Sequence, residues 1–299
     1  MSFIITPLRY VIDFIYGFTG NYAVAIILFT LVVKLILMPL DLKQRTAMRK
    51  MTDLNPKLEE INRKYEKDPE KKNMKTMELY KKEKVNPLSG CLPVLIQFPI
   101  LIAMFSAMRH IADEQYVSMF LTVYQNGVDA FQPESFLWVR NIWQPDNITA
   151  SVIPLFQSVS AIREIAGNPI VTAENIALMQ ANYETVMQPV IDKFNTGAAN
   201  GWAILPILAG ASQFFQSKYL TPAPAQTSQS GKPNTSKMMQ YIFPLMSVFF
   251  CWSYNAGFAL YWVTSNLYAI AQYYIFNLVF DYKEKRKALK TQTEGGAKK

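Results

Sequence analysis

Apolar residues along this chain gather in long runs, not in the short periodic groups of a soluble core. The first run, 21–40 (NYAVAIILFTLVVKLILMPL), holds a single charge, Lys34. As a helix, 22–39 covers about 27 Å at ~1.5 Å per residue, close to the ~30 Å hydrocarbon core of a bilayer. Further runs at 89–109, 202–220, 238–254 and 257–280 predict four more spanning helices. A shorter apolar patch, 148–162, contains Gln157, Ser158 and Ser160 and falls below spanning length. It reads as interfacial, or as packing for a small domain.

The segments between the runs have patterns of their own. In 1–20, Phe3, Leu8, Ile12 and Ile15 form one apolar face flanked by Tyr10 and Phe14, which predicts an amphipathic helix on the membrane surface. No small-residue cleavage pattern precedes the first span. In 41–88, Met48, Met51, Leu54, Leu58, Ile61 and Tyr65 step by three or four, a seam on one helix. Asp68-Pro69 breaks it, and Met74, Met77 and Tyr80 mark a second helix, giving a helical hairpin with a thin seam. The long polar region 110–201 includes a helical insert at about 148–200. There Ile176, Met179, Tyr183, Met187, Val190 and Phe194 recur at helical spacing, with Pro189 as a kink or stop. A Pro-, Ser- and Gln-rich linker occupies 221–237, and a basic tail 281–299.

Charge orients these pieces. The chain carries 30 Lys and Arg against 22 Asp and Glu, net +8. Segment 41–85 holds fourteen basic residues and nine acids, and the tail seven and three, so both belong on the cytosolic side. An even number of spans must then separate them, and the four runs after 41–88 supply it. The result is an all-α polytopic membrane protein of five spans, N-terminus outside and C-terminus cytosolic. The region 109–201, with four basic residues and nine acids, lands outside.

Candidate chemistry is sparse. No carboxylate lies in any predicted span, which counts against a proton-coupled pump. No Gly-rich phosphate loop, HExxH or GxSxG occurs. Cys91 and Cys251 sit in apolar runs and read as small buried residues, and His110 has no partner of metal-site spacing, so no metal or cofactor is expected. An intramembrane cation costs on the order of 3 kcal/mol. Lys34 therefore either snorkels to the interface or faces a polar lining, and Thr30 one turn earlier favours the lining. Other uncharged polar residues join it: Gln97 in the second run, Gln213 and Gln216 in the third, and Trp262, Ser265, Asn266 and Gln272 in the fifth. Each alone reads as an interhelical hydrogen bond or an interfacial aromatic. Together they outline a wet groove with one positive charge, which would attract an acidic segment of another chain.

The stretches GNYAVAIILFTLVVKLILMPL, NPLSGCLPVLIQFPILIAMFSAM, SFLWVRNIWQPDN, AILPILAGASQFFQSK and NAGFALYWVTSNLYAIAQ fall in the order found in the YidC/Oxa/Alb family of membrane protein insertases. The chain resembles the bacterial five-span form across all five runs. The resemblance implies five helices around a hydrophilic groove open to cytosol and lipid and closed to the outside. It also implies a mobile cytosolic hairpin that receives clients. The family's groove charge is usually Arg, and Lys34 stands there in this chain. Thr30 and Trp262 match groove positions of the first and last spans, and the span-three glutamine is Gln213 or Gln216. Implied partners are nascent membrane protein clients with acidic external tails, the ribosome, the signal recognition machinery, the general secretion channel and membrane lipids. Two departures stand out. Asn255-Ala256-Gly257 replaces the family's Pro-Ala-Gly, and roughly fifty residues are added between 147 and the third run.

The function expected is insertion and chaperoning of membrane proteins in the bacterial plasma membrane, without nucleotide or covalent catalysis. The alternative is a small-solute transporter or channel, which would show internal repeats and Gly-broken helices in both halves. Neither is present in the sequence. A membrane-bound enzyme is a third class, and no region pairs an acid with a base for it.

Overall fold

The computed structural model describes residues 2–85, 92–197, 199–220 and 235–296, and among these the architecture is helical, with no strand beyond one isolated bridge between Phe136 and Val139. The first helix, α1 (Ser2–Thr19), stops at Gly20, whose φ of +62° suits a residue without a Cβ. Asn21 then caps α2 (Tyr22–Asp53), its side-chain oxygen accepting the Val24 N–H at 3.2 Å. Leu8, Ile12 and Ile15 of α1 turn into the main core against α2 and α5, while Tyr10, Phe14 and Phe18 stay exposed.

Helix α2 continues well past the apolar run and ends at Asp53. The sequence reading carried one seam from Met48 to Tyr65. The structure breaks it at Leu54, placing Met48 and Met51 on α2 and Leu58 and Ile61 on α3 (Asn55–Lys64). Pro56 sits at this break: it has no N–H for the Thr52 carbonyl, and it occupies the first turn of α3, where no intrahelical N–H bond is needed. Asp68 caps α4 (Pro69–Lys82) through the Lys71 N–H at 3.1 Å. Among the described residues, Leu54, Leu58 and Tyr80 form the buried core of the hairpin, with Met51, Leu79 and Val85 packed against them. Residues 86–91, at the end of the predicted hairpin, lie outside the described residues, and Cys91 with them.

Helix α5 (Leu92–Asn126) runs far beyond the apolar segment that predicted it. Its last turns bury Val117, Phe120 and Val123 in a second core. Facing them are α6 (Phe156–Val159) and α7 (Ala173–Phe194), the latter burying Ile176, Met179, Tyr183, Met187 and Val190. The patch 148–162 supplies Val152, Ile153, Val159 and Ile162 to the same core, so it packs a small domain. The Tyr183 hydroxyl donates to the Pro154 carbonyl at 2.7 Å.

The chain then enters α8 (Ile204–Phe215), which continues as a π turn (Gln216–Leu220). Residues 221–234 of the linker lie outside the described residues. Helix α9 (Thr235–Ser253) packs along α8, and α10 (Ala256–Gly296) crosses α2 and α8. Asn255 caps α10 by accepting the Phe258 N–H at 2.9 Å. The N–H groups of Ala256 and Gly257 donate to the Gln144 and Ile142 carbonyls, pinning the start of α10 to the loop after α5. Among the described residues one helix, α2, is long and apolar enough to cross a membrane.

Candidate functional site

The candidate site lies where α2, α8 and α10 meet. Thr30 is buried on α2, and its hydroxyl donates to the Ile26 carbonyl at 2.7 Å, so it is satisfied within its own helix. Lys34 follows one turn later, partly buried, and its backbone carbonyl accepts from the Tyr268 hydroxyl of α10 at 3.4 Å. That contact sets the face of α2 carrying Lys34 against the middle of α10.

On α10, Ser265 and Asn266 are buried and Trp262 is partly so. The Asn266 amide donates to the Ser212 hydroxyl of α8 at 3.1 Å. Trp262 packs near Phe258, ring centroids 5.6 Å apart, and its indole N–H is buried with no acceptor among the described residues. A buried donor left this way costs about 1–3 kcal/mol unless water or a ligand supplies the acceptor. Gln213 and Gln216 bond each other, Nε2 to Oε1 at 3.4 Å, and stay partly exposed on α8 and its π turn. Gln97 lies in α5, and its side chain is outside the described residues.

The structure thus joins Lys34 to α10 and Asn266 to α8. It does so through Tyr268 and Ser212, which the sequence reading left out. Two charges were left out as well. Asp41 and Arg45 lie seven and eleven residues beyond Lys34, on one stripe of an unbroken helix. Both act on the Lys34 charge. Arg45 donates to the Ala269 carbonyl at 3.0 Å and to Gln272 Oε1 at 3.2 Å, and lies over the Tyr273 ring. The Gln272 amide nitrogen is buried with no acceptor among the described residues. The seven-residue spacing from Lys34 is the signal that would have found them. Beside this polar seam, an apolar cleft of about 400 Å³ opens between α2 and α10, lined by Leu35, Met38, Leu42, Ala271, Ile275 and Phe276 among others. The arrangement can hold an apolar segment in the cleft and an anionic group near Lys34. Among the described residues no group of three or more His, Cys, Asp or Glu is placed to hold a metal.

Comparison with known proteins agrees with this architecture. Residues 14–284 match the family described as 60Kd inner membrane protein. A Leptospira interrogans protein named membrane protein insertase YidC is 33% identical over 291 residues, covering 95% of this chain and 36% of its own length. A protein of the same name from Fusobacterium nucleatum is 32% identical over 278 residues, covering 92% of this chain and 97% of its own. The chain thus spans about a third of the Leptospira relative and nearly all of the Fusobacterium one. A crystal structure of an active YidC insertase with its first transmembrane domain resolved superposes with a TM-score of 0.51 at 24% identity, over 91% of this chain and 46% of that one, a likeness of fold. With the family matched from 14 to 284 and one relative matched almost end to end, the chain belongs to the YidC/Oxa family of 60Kd inner membrane proteins.

Proposed function

We propose that the chain is a membrane protein insertase and chaperone of a bacterial plasma membrane. The segments 21–40, 89–109, 202–220, 238–254 and 257–280 are its five spans. Residues 1–20 and 110–201 lie outside. The hairpin 41–88, the linker 221–237 and the tail 281–299 lie in the cytosol. Lys34 holds an acidic residue of the client's translocating tail, while the client's apolar stretch slides along α8 and α10 into lipid. Thr30, Gln97, Gln213, Gln216, Trp262, Ser265 and Asn266 line a wet groove that lowers the cost of carrying polar peptide part-way into the bilayer. Client hydrophobicity and membrane potential drive the transfer, with no nucleotide and no covalent step. Clients arrive from the ribosome or the signal recognition machinery, and some are handled beside the general secretion channel.

One observation carries the reading: Lys34 is the single charge in the apolar stretch of α2 and sits on its α10-facing side, in a chain of this family. The names of the relatives and the unmatched Trp262 donor support it.

The test is insertion of a single-span client, with an acidic or a neutral tail, into proteoliposomes bearing the chain with Lys, Arg, Gln or Glu at position 34. Lys and Arg are expected to insert both clients, and Gln and Glu the neutral one alone. Equal insertion by all four would remove the charge from the mechanism. A folded wild-type chain that inserts neither client would overturn the insertase reading.

A further inference from the structure

Lys34 does not carry its charge alone. On α2, Asp41 and Arg45 follow Lys34 by about two and three turns near the same stripe, about 10 Å and 16 Å further along the axis, with Pro39 inside the helix between Lys34 and Asp41. The Lys34 and Asp41 side chains both lean towards the N-terminus, so their separation of about two turns is kept along the stripe. On the facing helix, Tyr268 and Gln272 are one turn apart. The Tyr268 hydroxyl bonds the Lys34 carbonyl, and Gln272 accepts from Arg45. Arg45 is tied in addition to the Ala269 carbonyl. The seam therefore reads cation, anion, cation along α2, zipped to two polar side chains of α10.

We propose that Asp41 is the internal counter-charge of Lys34 and sets how acidic a client segment must be to engage it. Resting on the insertase reading above, this makes position 41 a specificity-determining position. Asp41 lies on the same stripe of α2 between the two cations, where it lowers the potential at Lys34 without blocking approach from the cleft side. Coulomb attraction scales inversely with distance, so a client carboxylate at contact prevails over an anion two turns away. A segment with one acid gains little beyond what Asp41 already offsets, and a segment with two gains more. An arginine at 34 would meet the same field, so the threshold belongs to the anion at 41 and not to the choice of cation.

The experiment uses proteoliposomes of the full chain and single-span clients whose tails carry two, one or no aspartates, the rest being asparagine. Wild type is expected to insert the two-acid client faster than the one-acid client. Asp41→Asn should raise the one-acid rate about three- to tenfold, from the loss of one charge near 10 Å at intermediate dielectric. Its effect on the neutral client should be several times smaller than on the one-acid client. In a Lys34→Gln background the same substitution should change nothing. Raising salt from about 50 to about 300 mM should shrink the effect. Asp41→Glu, which keeps the charge, should keep the preference for two acids, and it serves as the deciding variant if Asp41→Asn does not fold.

If Asp41→Asn alters neutral and acidic clients alike, or acts equally in the Lys34→Gln background, Asp41 has only a structural role in α2 and the proposal falls. It falls too if Asp41→Glu folds and loses the preference. A wild type that inserts clients without regard to acid number, and is unmoved by Asp41→Asn, sinks this proposal alone. A folded wild type that inserts no client sinks the insertase reading with it.

Discussion

The Asp146 carboxylate accepts the backbone N–H of Leu205 at 2.7 Å, fixing the start of α8 to the loop that follows α5. The same side chain accepts from the Ala203 N–H at 3.2 Å and from the Trp138 indole at 3.0 Å, and it is fully buried. A helix leaves its first N–H groups without internal partners, and here a carboxylate 59 residues away supplies the acceptor. Gly201 completes the fit, because a Cβ there would lie 2.0 Å from Asp146 Oδ1.

Asp146→Ala is therefore expected to destabilise the protein by about 2–3 kcal/mol, since it strands three buried donors. Thermal unfolding in detergent would read this, and protease cutting near 199–203 should appear first. An unchanged midpoint and cutting pattern would show that α8 does not depend on this cap.

The contact between α8 and α9 gives a second prediction. A Cβ on Gly210 would sit 2.3 Å from Val248 Cγ2. Val is stiff about χ1, so its methyl has little room to retreat. Gly210→Ala should cost about 1–3 kcal/mol by overpacking. Adding Val248→Ala should restore most of the loss. A single mutant as stable as wild type would mean that the two helices can slide apart at no cost.

Asp113, beyond the apolar part of α5, yields a pH prediction. Burial pushes its carboxyl up to about 6, and Arg109 at 3.8 Å offsets only part of that. The folded state thus binds the proton more tightly than the unfolded chain. Stability from this group is present at pH 4, declines as pH rises towards 6 and is gone above it. Burial and the cations Arg9 and Arg109 push nearby His110 down, which works in the opposite sense. The informative quantity is therefore the difference between variants. Asp113→Asn should be more stable than wild type at pH 7, and its advantage should vanish towards pH 4. Thermal midpoints across that range decide it, and a difference independent of pH would refute the assignment.

The hairpin of α3 and α4 should open on its own. Its core is Leu54, Leu58 and Tyr80, and the Lys57–Glu83 pair across it is largely exposed and worth under about 1 kcal/mol. Leu58→Ala should cost about 2–3 kcal/mol, enough to melt the pair. Amide exchange in 55–82 should then rise to unprotected rates while α2 and α10 keep theirs. Loss of protection in all of them together would show the hairpin to be part of one cooperative unit.

Much of the architecture was legible because its signals are local. The length of an apolar run, Gly20-Asn21 between two helices, Asp68-Pro69 and the three-four spacing along α7 each act within a few residues. Legibility failed where one local rule overrode another. Pro56 cut a seam whose apolar spacing runs straight through it, and the polar end of α5 stayed helical because α7 packs against it. In the candidate site, Lys34 was conspicuous as a charge among apolar residues. Ser212 and Tyr268 were not, since a serine or tyrosine in such a run has many ordinary explanations.

The sequence by itself determined that the chain is helical, that its apolar runs are long, and that a lone lysine sits in the first of them. Family membership was legible in the same stretches. Only the tertiary structure decided that Asn266 meets Ser212, that Asp146 caps α8, and that Arg45 reaches Gln272 and Ala269 on α10. The physical reason is range. Helix formation and apolar burial depend on nearest turns, whereas a polar pair across 54 or 59 residues depends on the rotation of each helix about its axis. That rotation is set by the packing of every neighbouring side chain at once.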